Sequence, residues 1–102
     1  MIIEYATWQV DAPDHDAYLA WTIDVTARCR AQAGCLAYDF HIDPSDRTRG
    51  SLFQAWETPE HFAAHLEFPA HKEMLAGGKP WTTRNVVLHR WTEAEGHQVV
   101  QR

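Results

Sequence analysis

Residues 49–75, RGSLFQAWETPEHFAAHLEFPAHKEML, hold the fold's decisive pattern. Leu52, Gln54 and Trp56 alternate along one face of a strand, because successive strand side chains point to opposite sides. Thr58 stops the strand, and Pro59 and Glu60 open a helix. His65 follows Phe62 by three residues and precedes Leu66, which places its imidazole on the apolar side of that helix. Pro69 breaks or restarts the helix, residues 70–75 continue it, and Gly77 and Gly78 end it. A histidine looking from a helix towards a strand tryptophan frames the floor and wall of a small-molecule cavity.

The flanking chain supplies the partners of this unit. Residues 2–10, IIEYATWQV, read as a strand apolar on both faces, as in a sheet covered on both sides. A helix is expected from Pro13 to Gln32, with Pro13 just inside it and Asp14 in its first turn. Tyr18, Trp21, Val25 and Cys29 form its buried stripe, and Asp24, Arg28 and Arg30 its outer surface. Gly34 supplies the left-handed residue favoured after a helix. Strand Cys35–Asp43 alternates, with Leu36, Tyr38, Phe40 and Ile42 facing one way and Ala37, Asp39 and His41 the other. The polar loop 43–49 then makes an antiparallel hairpin with strand 50–57. A last strand covers residues 80–91, with Val87, His89 and Trp91 opposite Val86 and Leu88.

The order β-α-β-β-α-β predicts an α+β, ferredoxin-like fold with a four-stranded antiparallel sheet. Two helices cover one sheet face, whereas the strands are apolar on both. A second copy of the chain is the simplest cover for the other face, giving a homodimer. The whole chain, 1–102, is expected to be one domain. Its polar tail, 92–102, would add an edge strand to the partner subunit.

Composition narrows the function. A formal net charge of −5 over 102 residues, with no basic cluster, argues against nucleic acid or an anionic membrane as partner. The first strand begins almost at Met1, and no apolar run is long enough to span a bilayer, so a cytoplasmic protein is expected. Cys29 and Cys35 lack a CxxC arrangement and read as reduced, partly buried thiols. His61 and His65, four apart on one helix, can in principle meet one ion. No third ligand or HExxH pattern joins them, so no metal is expected.

The run from Ala33 to His71, AGCLAYDFHIDPSDRTRGSLFQAWETPEHFAAHLEFPAH, resembles the signature region of the antibiotic biosynthesis monooxygenase (ABM) family. The likeness lies in the Gly-Cys-Leu-x-Tyr strand, the Asp-Pro hairpin, the aromatic strand ending in Trp-Glu, and the helix with Ala-Ala-His-Leu at residues 63–66. It implies a dimeric α+β barrel with a pocket between sheet and helices. There, relatives oxygenate quinols or polycyclic phenols without metal or flavin, while other branches degrade haem or rearrange small carbonyl compounds. Trp56 matches the strand tryptophan of the cofactor-free oxygenases, and His65 the helix histidine of quinol-oxygenase-like members. Leu52 stands where those enzymes place an asparagine donor, and Gln54 is the nearest polar substitute. Ala70 replaces a histidine, and His71 takes a position that is usually aromatic. The haem branch's axial histidine is matched by Leu75 and its strand asparagine by about Ala6, which disfavours haem.

Cofactor-free oxygenation needs few protein groups: a base for the phenolic proton, a donor for the charge developing on O2, and an apolar cage. His65 is the expected base, because imidazole titrates near working pH. Trp56 Nε1 and the Gln54 amide are the expected donors. Trp8, Trp21, Tyr38, Phe40, Leu52, Phe62, Leu66 and His71 are expected to line the cage. Each assignment has a plainer reading, His65 as a core histidine bonded to a carbonyl and Trp56 as packing. Three functions therefore stand at this point: a cofactor-independent monooxygenase, an acid–base enzyme such as an isomerase acting on a small carbonyl compound, and a non-catalytic binder of a hydrophobic ligand. The roles of His61, His71 and His89 stay open.

Overall fold

The computed structural model describes residues 1–98 and 100. Four strands and three helices follow the order β1 (Ile2–Asp11), α1 (His15–Arg30), β2 (Cys35–Asp43), β3 (Asp46–Trp56), α2 (Pro59–Leu66), α3 (Pro69–Leu75) and β4 (Thr82–Trp91). The strands form one antiparallel sheet in the order β2-β3-β1-β4. This is the expected ferredoxin-like α+β arrangement, with the second helix divided at Pro69 as its ring demands.

Register fixes which side chains meet. Glu4 lies opposite Gln54 and Ala6 opposite Leu52, while Tyr38 and Phe40 oppose Gln54 and Leu52 from the other side. Ile2, Ala6, Leu52, Trp56 and Tyr38 thereby form one core with Val25, Cys29 and Phe62 from the helices. Trp8 lies across Gly50, where a Cβ would come within 2.8 Å of the indole Nε1, so glycine makes room for the ring. The two cysteines are free thiols, Cys29 buried and Cys35 half-buried.

The helices cover β1, β2 and β3, but every residue of β4 is exposed. On the helix-free face, Tyr5, Phe53, Val87 and Trp91 are all exposed, so the sheet does present a second apolar face. No helix is long and apolar enough to cross a membrane among the described residues.

Four local expectations are corrected. Pro13 precedes α1 rather than opening it: Asp14 is the N-cap, and its carboxylate accepts from the Ala17 N–H. The hairpin is tighter than the polar composition implied, because Asp43 pairs with Asp46 around Pro44 and Ser45. Asp43 accepts from the Ser45 amide and hydroxyl, and Asp46 does the same for Thr48, so the polar residues build the turn and the strand start themselves. Leu36 does not share the face of Tyr38: a register shift between Cys35 and Ala37 leaves it 53% exposed. β4 begins at Thr82, after the buried Trp81, and bulges opposite Trp8, with Asn85 at a positive φ of 54°. In the tail, the Ala94 N–H donates to Met1 O and the terminal ammonium meets Glu95. The expected edge strand over 92–102 includes residues 99, 101 and 102, which lie outside the described residues.

Candidate functional site

A cavity of about 160 Å³ opens between the sheet and α3. That is close to the size of a hydrocarbon cavity that admits one benzene ring. The rings of Trp8, Tyr18, Trp21, Phe40 and Trp81 surround one part of it, with Ala6, Leu52, Met74, Val86 and Leu88 completing the apolar lining. Trp21 lies 5.2 Å from Trp81 and 6.4 Å from Phe40 between ring centroids, so these aromatics form one continuous wall. Trp8 Nε1 donates to the Tyr18 hydroxyl at 3.3 Å, which occupies the polar tips of both. Lys79 also reaches the rim. Its ammonium is tied to the carbonyls of Glu73, Met74 and Ala76 and closes the end of α3.

Besides Lys79 and Thr83, the polar part of the lining includes Glu4, Gln54 and His71. Glu4 projects from the core-facing row of β1 and is buried, yet its Oε2 is held by Arg90 Nε of β4 at 2.6 Å. The Arg90 guanidinium sits 4.9 Å above the Phe62 ring, so an aromatic face and a carboxylate fix it together. The Gln54 amide bridges strands: its Nε2 lies 3.4 Å from Glu4 Oε1, and its Oε1 accepts from Trp56 Nε1 at 2.8 Å. The indole N–H thus orients the amide and leaves the –NH2 end at the cavity side.

Behind this wall lies His65. It is buried, stacked on Trp56 at 4.5 Å and edge-on to Tyr38 at 5.6 Å. Its Nδ1 is 2.8 Å from Gln32 Oε1, which must accept, so the proton sits on Nδ1 and the lone pair on Nε2. Nε2 is buried with no partner among the described residues, and the same holds for His71 Nδ1. The two rings are 5.0 Å apart. Burial, reinforced by the neighbouring His71, depresses the His65 pKa to about 4, so the ring is neutral at neutral pH. Burial also lowers His71, partly opposed by the nearby Glu4 carboxylate. Burial raises the Tyr38 phenol, whose hydroxyl donates to Met74 Sδ, so Tyr38 remains protonated.

The model of the antibiotic biosynthesis monooxygenases matches residues 1–77, three quarters of the sequence. The chain belongs to the antibiotic biosynthesis monooxygenase family. Solved structures agree on the fold. A proposed antibiotic biosynthesis monooxygenase of Deinococcus radiodurans superimposes with a TM-score of 0.78 at 19% identity, covering 99% of this chain and 100% of its own. PA3566 from Pseudomonas aeruginosa gives 0.74 at 22% identity, with 88% and 90% covered. A proposed antibiotic biosynthesis monooxygenase of Chloroflexus aurantiacus gives 0.68 at 22%, with 98% and 100% covered. No protein of curated description matches. Family membership supports a monooxygenase-like role in general terms.

Within this ABM fold, the residues singled out from sequence fall into two layers. Gln54, Trp8, Trp21, Phe40, Leu52 and His71 line the cavity, whereas Trp56, His65, Tyr38, Phe62 and Leu66 pack behind that lining. The Trp56 indole N–H is engaged by Gln54, whose amide stands between it and the cavity. His61 stands apart: its Nδ1 meets Thr58 Oγ1 at 2.8 Å and its ring packs over Gly34. No cluster of three or more His, Cys, Asp or Glu side chains suited to a metal occurs among the described residues. Glu4, Arg90 and Gln32 were not picked out from sequence. The strand alternation does carry a signal for Glu4, a carboxylate in the row of Ile2, Ala6 and Val10. Arg90 continues the row of Val86 and Leu88 in the same way. Gln32, in the turn after α1, carries no such signal.

Proposed function

We propose that this protein is a homodimeric, cofactor-independent monooxygenase acting on a single-ring quinol. The observation that carries the reading is the one-ring aromatic cavity in which Glu4, Gln54 and His71 are the polar groups beside the rings, with Lys79 and Thr83 at its edge. Its volume of about 160 Å³ is filled by one ring, and the exposed Val86 and Leu88 leave it open on the β4 side.

The chemistry asks little of the protein. A substrate hydroxyl loses its proton, and the phenolate passes one electron to O2. The resulting superoxide and phenoxyl radical combine at a ring carbon that bears hydrogen. The peroxide then loses water, leaving a carbonyl: one oxygen atom enters the product, the other departs as water, and the substrate supplies all the electrons. Gln54 Nε2–H, on a side chain that is itself buried, is the donor to the oxygen charge as it develops. Trp56 positions that amide. His71 faces the cavity and receives the proton, and His65 stands behind it as second acceptor through Nε2. A neutral imidazole of low proton affinity returns a proton readily to the departing oxygen. The homodimer is supported by the apolar outer sheet face around Tyr5, Phe53, Val87 and Trp91. In the dimer, the whole chain acts as one domain.

The test is oxygen uptake with a panel of hydroquinones in the presence of a metal chelator. One O2 consumed per quinol is expected, and Gln54→Ala should lower kcat by about a hundredfold or more, the usual cost of losing one such donor. No uptake with any quinol, together with turnover of a small carbonyl compound, would instead establish the acid–base reading. That second reading draws its support from Glu4 and His71 lining the same cavity.

A further inference from the structure

The monooxygenase reading leaves Glu4 without a task, and its surroundings give it one. It is a buried carboxylate, 6% exposed, on the wall of a cavity that is otherwise mostly aromatic and aliphatic. Its two oxygens are treated unequally. Oε2 takes the strong bond from Arg90 at 2.6 Å, whereas among the described residues Oε1 has only the long contact of 3.4 Å from Gln54. A carboxylate can accept at both oxygens, and one held by a guanidinium is fixed in place. Oε1 therefore retains acceptor capacity beside a space of one-ring size, with Gln54 Nε2 next to it and His71 on α3 also lining that space.

Resting on the quinol reading, we propose that Glu4 selects the substrate, its Oε1 accepting a hydrogen bond from a ring hydroxyl. Such a group requires a donor. It accepts a neutral phenolic hydroxyl, gives nothing to the corresponding methyl ether, and repels a ring bearing a carboxylate. Arg90 holds the acceptor, and Gln54 sets the distance at which a hydroxyl can sit. Glu4 thus converts an aromatic slot that would take any small ring into a site for hydroxylated ones.

The tests are binding measurements in the absence of oxygen, read by the fluorescence of Trp8, Trp21 and Trp81 at the cavity wall and checked by calorimetry. The probes are 1,4-dihydroxybenzene, 1,4-dimethoxybenzene and benzoate, first with the unaltered protein. The dihydroxy ring should bind about tenfold to a hundredfold more tightly than its dimethyl ether, as expected for a hydrogen bond to a charged acceptor, and benzoate should bind least. Glu4→Gln, whose amide can still accept from Arg90 while turning a donor towards the cavity, should cut the preference to below about threefold and improve benzoate. Equal binding of the hydroxy and methoxy rings by the unaltered protein would overturn the proposal whatever the variant does, as would an absence of saturable binding. A preference that survives unchanged in folded Glu4→Gln would overturn it too. Oxygen uptake is scored separately. Donor-selective, Glu4-dependent binding without uptake would keep this inference and end the monooxygenase reading, whereas uptake with no donor preference would do the reverse.

Discussion

The depressed proton affinity of His65 makes a quantitative prediction about stability. Its folded pKa is about 4 because the buried ring loses hydration and faces His71, whereas an unfolded histidine titrates near its ordinary value of about 6.5. Between those values the unfolded chain binds the proton and the folded one does not, so stability rises with pH through that window. Acidification from neutrality is therefore destabilising. The loss begins as pH falls below about 6.5 and is complete below about 4, at an upper limit of about 3 kcal/mol. By about pH 5, roughly 2 kcal/mol should be gone from this one group. His71, lowered for the same main reason, adds in the same direction. The perturbation is His65→Phe, which keeps an aromatic ring on Trp56 but removes the titrating nitrogen. Urea unfolding of both proteins across this pH range, at one fixed protein concentration so that assembly does not move the midpoint, measures the difference. The unaltered protein should lose about 2 kcal/mol more than the variant between about pH 7.5 and 5. Equal losses would refute the burial argument and show that His65 reaches solvent in the folded state.

Other perturbations test separate parts of the structure. Trp56→Phe should cost about 1–2 kcal/mol in urea unfolding and reduce oxygen uptake, because Gln54 Oε1 loses its donor while most of the packing is kept; unchanged uptake would remove Trp56 from the positioning role. Gly34→Ala places a Cβ 2.2 Å from His61 Cγ at a φ of +79°, so a fall in melting temperature equivalent to at least about 1–2 kcal/mol is expected. Phe53→Glu, on the outer sheet face, should halve the mass seen by light scattering at micromolar concentration. A single-subunit mass for the unaltered chain would contradict the dimer outright.

The fold was legible where periodicity and punctuation agree. Leu52, Gln54 and Trp56 alternate as read, Tyr18, Val25 and Cys29 share a buried stripe, and Pro69 divides the helix. The misreadings came where one residue's local chemistry outweighed composition. Asp43 and Asp46 used their own carboxylates to build structure inside what looked like loop, and Leu36 left its alternating row at a bulge that no apolar pattern announces. The site was half legible for a similar reason. A sequence shows which face a strand residue occupies but not how many layers separate it from a cavity. Gln54 and His65 therefore looked equivalent, although one lines the cavity and the other packs behind it. The contact from Gln32 to His65 spans 33 positions and connects the turn after α1 to α2, a distance at which neither residue predicts the other.

The polar groups of the site have a further consequence for how fold and function are linked. Trp56 and Gln54 belong to β3, Glu4 to β1 and Arg90 to β4, so one hydrogen-bonded line crosses three adjacent strands. Because Glu4 is paired directly with Gln54 in the register of β1 and β3, a slip of one residue would put the two on opposite faces of the sheet. β4 gains little from helix packing, since all its residues are exposed, and among the described residues Glu4, paired with Arg90, is its one buried carboxylate partner. Removing Arg90 should thus act twice, freeing β4 and leaving Glu4 as an uncompensated buried charge, a combination that typically costs about 3–5 kcal/mol. Replacing Glu4 and Arg90 together by an isosteric apolar pair should cost far less in stability, yet abolish any preference for hydroxylated rings. If the double replacement kept that preference, the line of polar groups would be a register device alone; if it lost the preference while the fold stayed intact, the same residues that align the sheet also read the ligand.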